Sequence, residues 1–152
     1  MASAPLSHVV LVITAAVLFY VALTDFKQFK IRNELILSLA GLFFVHAFVS
    51  GRWTSAHWNL AFAGLMFGVM LYFYAQKWMG GGDVKILTVG FLWIGLGCAF
   101  LFAVLLAVFA AIHVVAAKFG WVEVQQPGHQ NRIPLAPSVA AALILCFILR
   151  CV

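Results

Sequence analysis

Residues 86–117, ILTVGFLWIGLGCAFLFAVLLAVFAAIHVVAA, run for 32 positions without a charged side chain. As one straight helix they would be about 48 Å long at 1.5 Å per residue. The hydrocarbon core of a bilayer is only about 30 Å thick. The run is therefore read as two helices, broken at Gly95-Leu96-Gly97. A short apolar helix should end there, and a full-length one should follow over roughly 98–117.

Working outward, apolar runs at roughly 6–24, 35–50, 58–76 and 135–149 join these two. The chain is 66% hydrophobic and 9% charged, with a mean hydropathy of +1.12. Soluble domains carry about 25% charged residues, so most of this surface must face lipid or other helices. The expected fold class is all-α: a polytopic membrane helix bundle of about six transmembrane helices, forming one integral-membrane domain over 1–152. The first run has no Lys or Arg ahead of it, so it reads as a retained span rather than a cleaved signal. Trp53 and Trp58 suit an interfacial belt. Gly64 and Gly68 are spaced for close helix contact.

Seven of the nine Lys and Arg fall in segments 25–34, 77–85 and 118–133, namely Lys27, Lys30, Arg32, Lys77, Lys85, Lys118 and Arg132. Only Arg52 and Arg150 fall on the other side. The positive-inside rule puts the three richer segments in the cytoplasm and the N-terminus outside. The basic residues are dispersed at span ends and form no patch for nucleic acid. Membrane lipid explains the +5 net charge better.

The chain has only two aspartates, Asp25 and Asp83. Taken singly, either could simply end or cap a helix. Taken together, they lie on one side of the membrane, where ionisable groups are costly and tend to be functional. Two carboxyls can hydrolyse a peptide bond when one takes a proton from water and the other, protonated, hydrogen-bonds the scissile carbonyl. Held close, they share one proton and titrate as a pair. Gly80, Gly81 and Gly82 precede Asp83, and glycines allow another chain to approach the backbone closely. Lys85 is expected to snorkel to the interface, or to hold an acidic group or lipid headgroup.

Rival chemistries find less support. His46 and His113 sit inside spans and read as buried histidines satisfied by neighbours. They share no ligand spacing, so no metal and no cofactor are expected. Ser38 and Ser138 have no neighbouring His to act as a base. Cys98, Cys146 and Cys151 lack metal spacing and read as apolar packing residues, with a Cys98–Cys151 bridge as the alternative.

The motif Gly80-x-Gly82-Asp83, followed by Val84-Lys85, resembles the Gly-x-Gly-Asp signature of type IV prepilin peptidases and the related preflagellin peptidases. Asp25, followed by Ile31 and Asn33, resembles that family's first-aspartate motif, in which Asp precedes Ile-Pro-Asn. Arg32 stands where the family has proline. The proline-containing approach to the last span, including Pro134, is loosely similar as well. The chain lacks the cysteine-bearing cytoplasmic domain of larger members and is most similar to the small form associated with tight-adherence (Flp-type) pili. The resemblance implies an aspartic endopeptidase of the bacterial inner membrane. It would remove the leader of prepilins or pseudopilins at the cytoplasmic face, with Asp25 and Asp83 catalytic. Gly80, Gly81, Gly82, Lys85, Asn33 and Pro134 would contact substrate. The alternative is a non-enzymatic transporter or pilus-assembly subunit that uses the aspartates for ions. Transporters more usually hold carboxylates at mid-membrane, so placement at an edge favours the peptidase.

Overall fold

The computed structural model describes residues 3–28, 31–119 and 135–149. They form six helices: α1 (Ser3–Gln28), α2 (Asn33–Val49), α3 (Trp53–Ala75), α4 (Gly81–Ile94), α5 (Ala99–Lys118) and α6 (Ala136–Ile148). The described residues contain no strand. The long apolar run breaks where expected. Helix α4 ends at Ile94, Gly95 caps it at φ +63° and ψ −169°, and α5 starts four residues later. That backbone region is essentially restricted to glycine. The Asn59 amide lies against Gly95, where a Cβ would collide with it.

The six helices sort by length into two kinds. Helices α1, α3 and α5 have 26, 23 and 20 residues. Each contains a stretch long and apolar enough to cross a membrane: Pro5–Asp25, Trp53–Ala75 and Ala99–Ala116. They expose many large apolar side chains, among them Val12, Phe19, Leu65, Tyr72, Phe100 and Ile112. Such outward hydrophobicity suits lipid rather than water. Helices α2, α4 and α6 have only 17, 14 and 13 residues and sit further inside. In α4, nine of the 14 residues are buried, from Val84 to Ile94. At about 21 Å it is too short to cross the hydrocarbon core alone, and it packs among α2, α3, α5 and α6 instead.

Packing gives each long helix a seat on two shorter ones. Helix α1 lies on α2 and α6, α3 on α2 and α4, and α5 on α4 and α6. The core gathers around Trp93, whose indole N–H donates to the Leu39 carbonyl at 3.0 Å, and whose ring meets Phe43, His46 and Phe147. Gly90 admits the Phe102 ring, 3.0 Å from where its Cβ would stand.

Several expectations need correcting. Helix α1 continues three residues past Asp25, so Asp25 lies within the last turn and not beyond it. Helix α3 begins at Trp53, not near 58, because residues 53–57 complete its first turn. Gly64 and Gly68 are exposed, with nothing near a Cβ at either, so they form no contact face among the described residues. Cys98 is disulfide-bonded and is no simple packing residue. Cys146 is free and buried, while Cys151 lies outside the described residues.

The geometry at the α4–α5 break generates a direct expectation. Gly95→Ala should destabilise the protein by about 1–3 kcal/mol through backbone strain alone, and further through the Asn59 collision. Thermal unfolding in detergent should show a clear drop in midpoint relative to Gly97→Ala, whose added methyl meets open space.

Candidate active site

Asp25 ends a stripe along α1. Val10, Thr14, Leu18, Val21 and Asp25 recur at helical spacing, and all are buried, while Val9, Ile13, Phe19, Tyr20 and Leu23 between them are exposed. The same periodicity that turns Leu18 inward turns Asp25 inward. Asp25 is only 5% exposed, and a buried carboxylate needs a hydrogen-bond donor. The donor is the Ala136 backbone N–H at the start of α6, 3.2 Å from Oδ2. Helix α6 has no side-chain cap of its own, and its first-turn N–H groups lack helical partners. Asp25 supplies the missing acceptor from 111 residues away. The helix dipole there favours a negative group.

Asp83 is placed by α4. Gly80 is the N-cap residue of this helix, and Asp83 lies in its first turn. Gly81 and Gly82 belong to that first turn too. The half-buried Asp83 side chain folds back over the cap: Oδ2 lies 3.1 Å from where a Gly80 Cβ would stand. A methyl there would crowd the carboxylate.

The two motifs meet. Ile31 is buried, and its side chain lies 3.5 Å from where a Gly82 Cβ would stand. Lys85 Nζ donates to Asn33 Oδ1 at 2.8 Å, so Lys85 is held by the other motif's amide. Tyr74, from the end of α3, covers Gly81. Thus the segment after α1 is fastened to the first turn of α4 by one apolar and one polar contact. Helices α1 and α4 themselves do not pack together. No Cα of one comes within 8 Å of the other, because α2 and α6 stand between them. Asp25 and Asp83 therefore stand at the same end of the bundle, on opposite members of a four-helix ring. Pro134, the remaining expected contact residue, lies outside the described residues.

Arg32 replaces the expected proline without changing the backbone. It precedes α2 with φ −73° and ψ 134°, close to the φ of about −65° that proline would impose. Its side chain pairs with Glu34 at 2.7 Å, and both side chains are well exposed, so the pair contributes little.

His113 is satisfied by a neighbour, as the sequence reading expected. His113 Nδ1 and Ser138 Oγ share a hydrogen bond of 2.8 Å. This corrects the expectation that Ser138 has no neighbouring His: the two are 25 residues apart and meet only where α5 packs on α6. Ser138 is 1% exposed, so the pair serves as a buried polar link between helices. His46 is buried as expected, and its ring packs on Trp93; no hydrogen bond reaches the ring among the described residues. The sequence also missed the Ala136 N–H. Its signal was the absence of Ser, Thr, Asp or Asn immediately ahead of α6, a helix start that must find an acceptor elsewhere.

A bundle of apolar helices, three of them long enough to span a bilayer, with a buried and a half-buried carboxyl gathered at one end, is a helical membrane protein with an acidic site. Residues 12–118, well over half of the chain, match the Type IV leader peptidase family, and the chain belongs to that family. The family is one of aspartic-type proteases. The match includes positions 25 and 83 and ends before α6. No curated protein and no solved structure matches the chain.

The proline-like backbone at Arg32 can be tested. Arg32→Pro should leave the protein folded and raise its stability by up to about 1 kcal/mol, through a less flexible unfolded chain. Thermal unfolding should show an equal or higher midpoint, and a large drop would show that the proline position is no longer built for proline.

Proposed function

We propose that this chain is a multi-pass endopeptidase of the bacterial inner membrane that removes the leader peptide from type IV prepilins of the Flp type, with Asp25 and Asp83 as its acid–base pair. The observation that carries this reading is the join between the two motifs. Ile31 on Gly82 and Asn33 on Lys85 bind the segment after Asp25 to the turn that bears Asp83.

The chemistry needs both carboxyls. One, ionised, takes a proton from water as the water oxygen bonds to the scissile carbonyl carbon. The other, protonated, hydrogen-bonds the carbonyl oxygen as it gains charge. Collapse of the tetrahedral intermediate breaks the C–N bond, and a proton passes to the leaving amine. Aspartates on separate helices leave room for an extended peptide between them. Gly80 to Gly82 present a backbone with no side chains to obstruct that peptide, and Lys85, already held by Asn33, sets the edge of the groove. Pro134 belongs to this proposal through the resemblance. The basic residues Arg32, Lys77, Lys85 and Lys118 cluster at the aspartate end, which supports a cytoplasmic position for it. Transport of ions through the same aspartates is the competing reading, and family membership weighs against it.

The test is cleavage of a Flp-type prepilin by the protein reconstituted in lipid, read by mass spectrometry of the products. Asp25→Asn and Asp83→Asn should each abolish product while inserting at wild-type levels. Near-normal cleavage by either variant would contradict the assignment. Gly80→Ala pushes on the Asp83 carboxylate and should slow cleavage on the order of tenfold or more, as small misplacements of catalytic groups do. Its melting point should change little by comparison.

A further inference from the structure

The end of the bundle opposite the aspartates holds a second polar site. A cavity of about 250 Å³ opens there between α2, α3 and α4. Its polar lining is His46, Arg52, Ser55 and Asn59, and Trp93 forms an aromatic wall. We infer that this cavity binds a phosphate-class anion at the membrane surface, either the phosphate of a lipid headgroup or free phosphate.

Four observations converge. First, His46 is 6% exposed, and no hydrogen bond reaches its imidazole ring among the described residues. The residue lines the cavity beside Trp93, whose ring it meets. A buried ring with unused hydrogen-bonding capacity is held ready for a ligand. Second, Arg52 stands at the mouth and is exposed, and no acidic residue pairs with it among the described residues; the ion pair found there is Arg32–Glu34, at the other end. Third, Arg52 is also the N-cap position of α3, a helix start with no side-chain cap. The helix dipole favours an anion there. Fourth, no acidic side chain stands near the cavity among the described residues. The chain has four acidic residues: Asp25, Glu34 and Asp83 lie at the opposite end, and Glu123 lies outside the described residues. His8 is within electrostatic reach of His46 and adds no negative charge.

The donor set selects phosphate chemistry. A guanidinium, an imidazole, a hydroxyl, an amide and a helix start together match an anion with several acceptor oxygens. The volume lies below the roughly 300–1,000 Å³ of drug-sized pockets, which suits a headgroup rather than a larger metabolite. Trp53 and Trp58, both exposed, flank the first turn of α3 and set this end at headgroup depth. None of this depends on the peptidase reading.

The experiment extracts the protein in mild detergent and measures bound phospholipid by native mass spectrometry. A second arm titrates delipidated protein with inorganic phosphate and follows its melting point. Arg52→Gln and His46→Gln are compared with Lys118→Gln, which removes a charge at the far end. If the occupant is a lipid, wild type and Lys118→Gln retain phospholipid, and Arg52→Gln retains it about tenfold less, as loss of one charge-assisted hydrogen bond implies. If the occupant is free phosphate, no lipid persists, but phosphate raises the melting point of wild type and Lys118→Gln and not of Arg52→Gln. His46→Gln should weaken whichever ligand binds. Equal retention by all variants, or no response to either ligand, would overturn the inference.

Discussion

The hydrogen bond from the Ala136 N–H to Asp25 couples two deficits that neither helix could tolerate alone. A carboxylate carried inward on the buried stripe of α1 needs a donor, and a helix that starts beneath it without a cap needs an acceptor. Meeting both needs with one contact joins the first helix to the last. It also fixes which face of α1 turns inward and holds α1 over α2 and α6. The long helices can then stay apolar on their outer faces, because the polar demand of the fold is met at its ends.

The second constraint joins the halves of the site. Glycine at position 82 leaves a space that Ile31 fills, and the amide of Asn33 fixes the ammonium of Lys85. In the sequence these residues belong to separate motifs, 51 and 52 positions apart. In the fold they form one junction, which gives the Ile-x-Asn pattern after the first aspartate a physical purpose. Arg32 fits this junction because the backbone there already has the torsion that proline would enforce. What the junction needs is the extended conformation before α2, and the ring is one way to secure it.

Much of the fold could be read from hydropathy and glycine placement. The excess length of residues 86–117 called for a break, and Gly95 provides it with a conformation that other residues avoid. The aspartates shared a side by span counting alone, and the structure gathers their flanking motifs at one end. What the sequence concealed depends on long-range packing. The His113–Ser138 pair and the Ala136 N–H arise only when α5 and α1 dock against α6. The packing of the His46 ring on Trp93 becomes visible only once its neighbours are known. Gly64 and Gly68 had contact spacing but, among the described residues, no partner helix on their side of the fold, since spacing marks what is permitted and not what is used.

The central claim is that two carboxyls at one end of this bundle act together on a peptide bond. The most direct measurement is the pH dependence of kcat/KM for prepilin cleavage by the reconstituted protein. One ionised and one protonated carboxyl should give a bell, with rate lost on the acid side as the base is protonated and on the alkaline side as the acid is deprotonated. A rate that rises through neutrality to a plateau and falls on Ser138→Ala, as a histidine-activated serine would give, would contradict it.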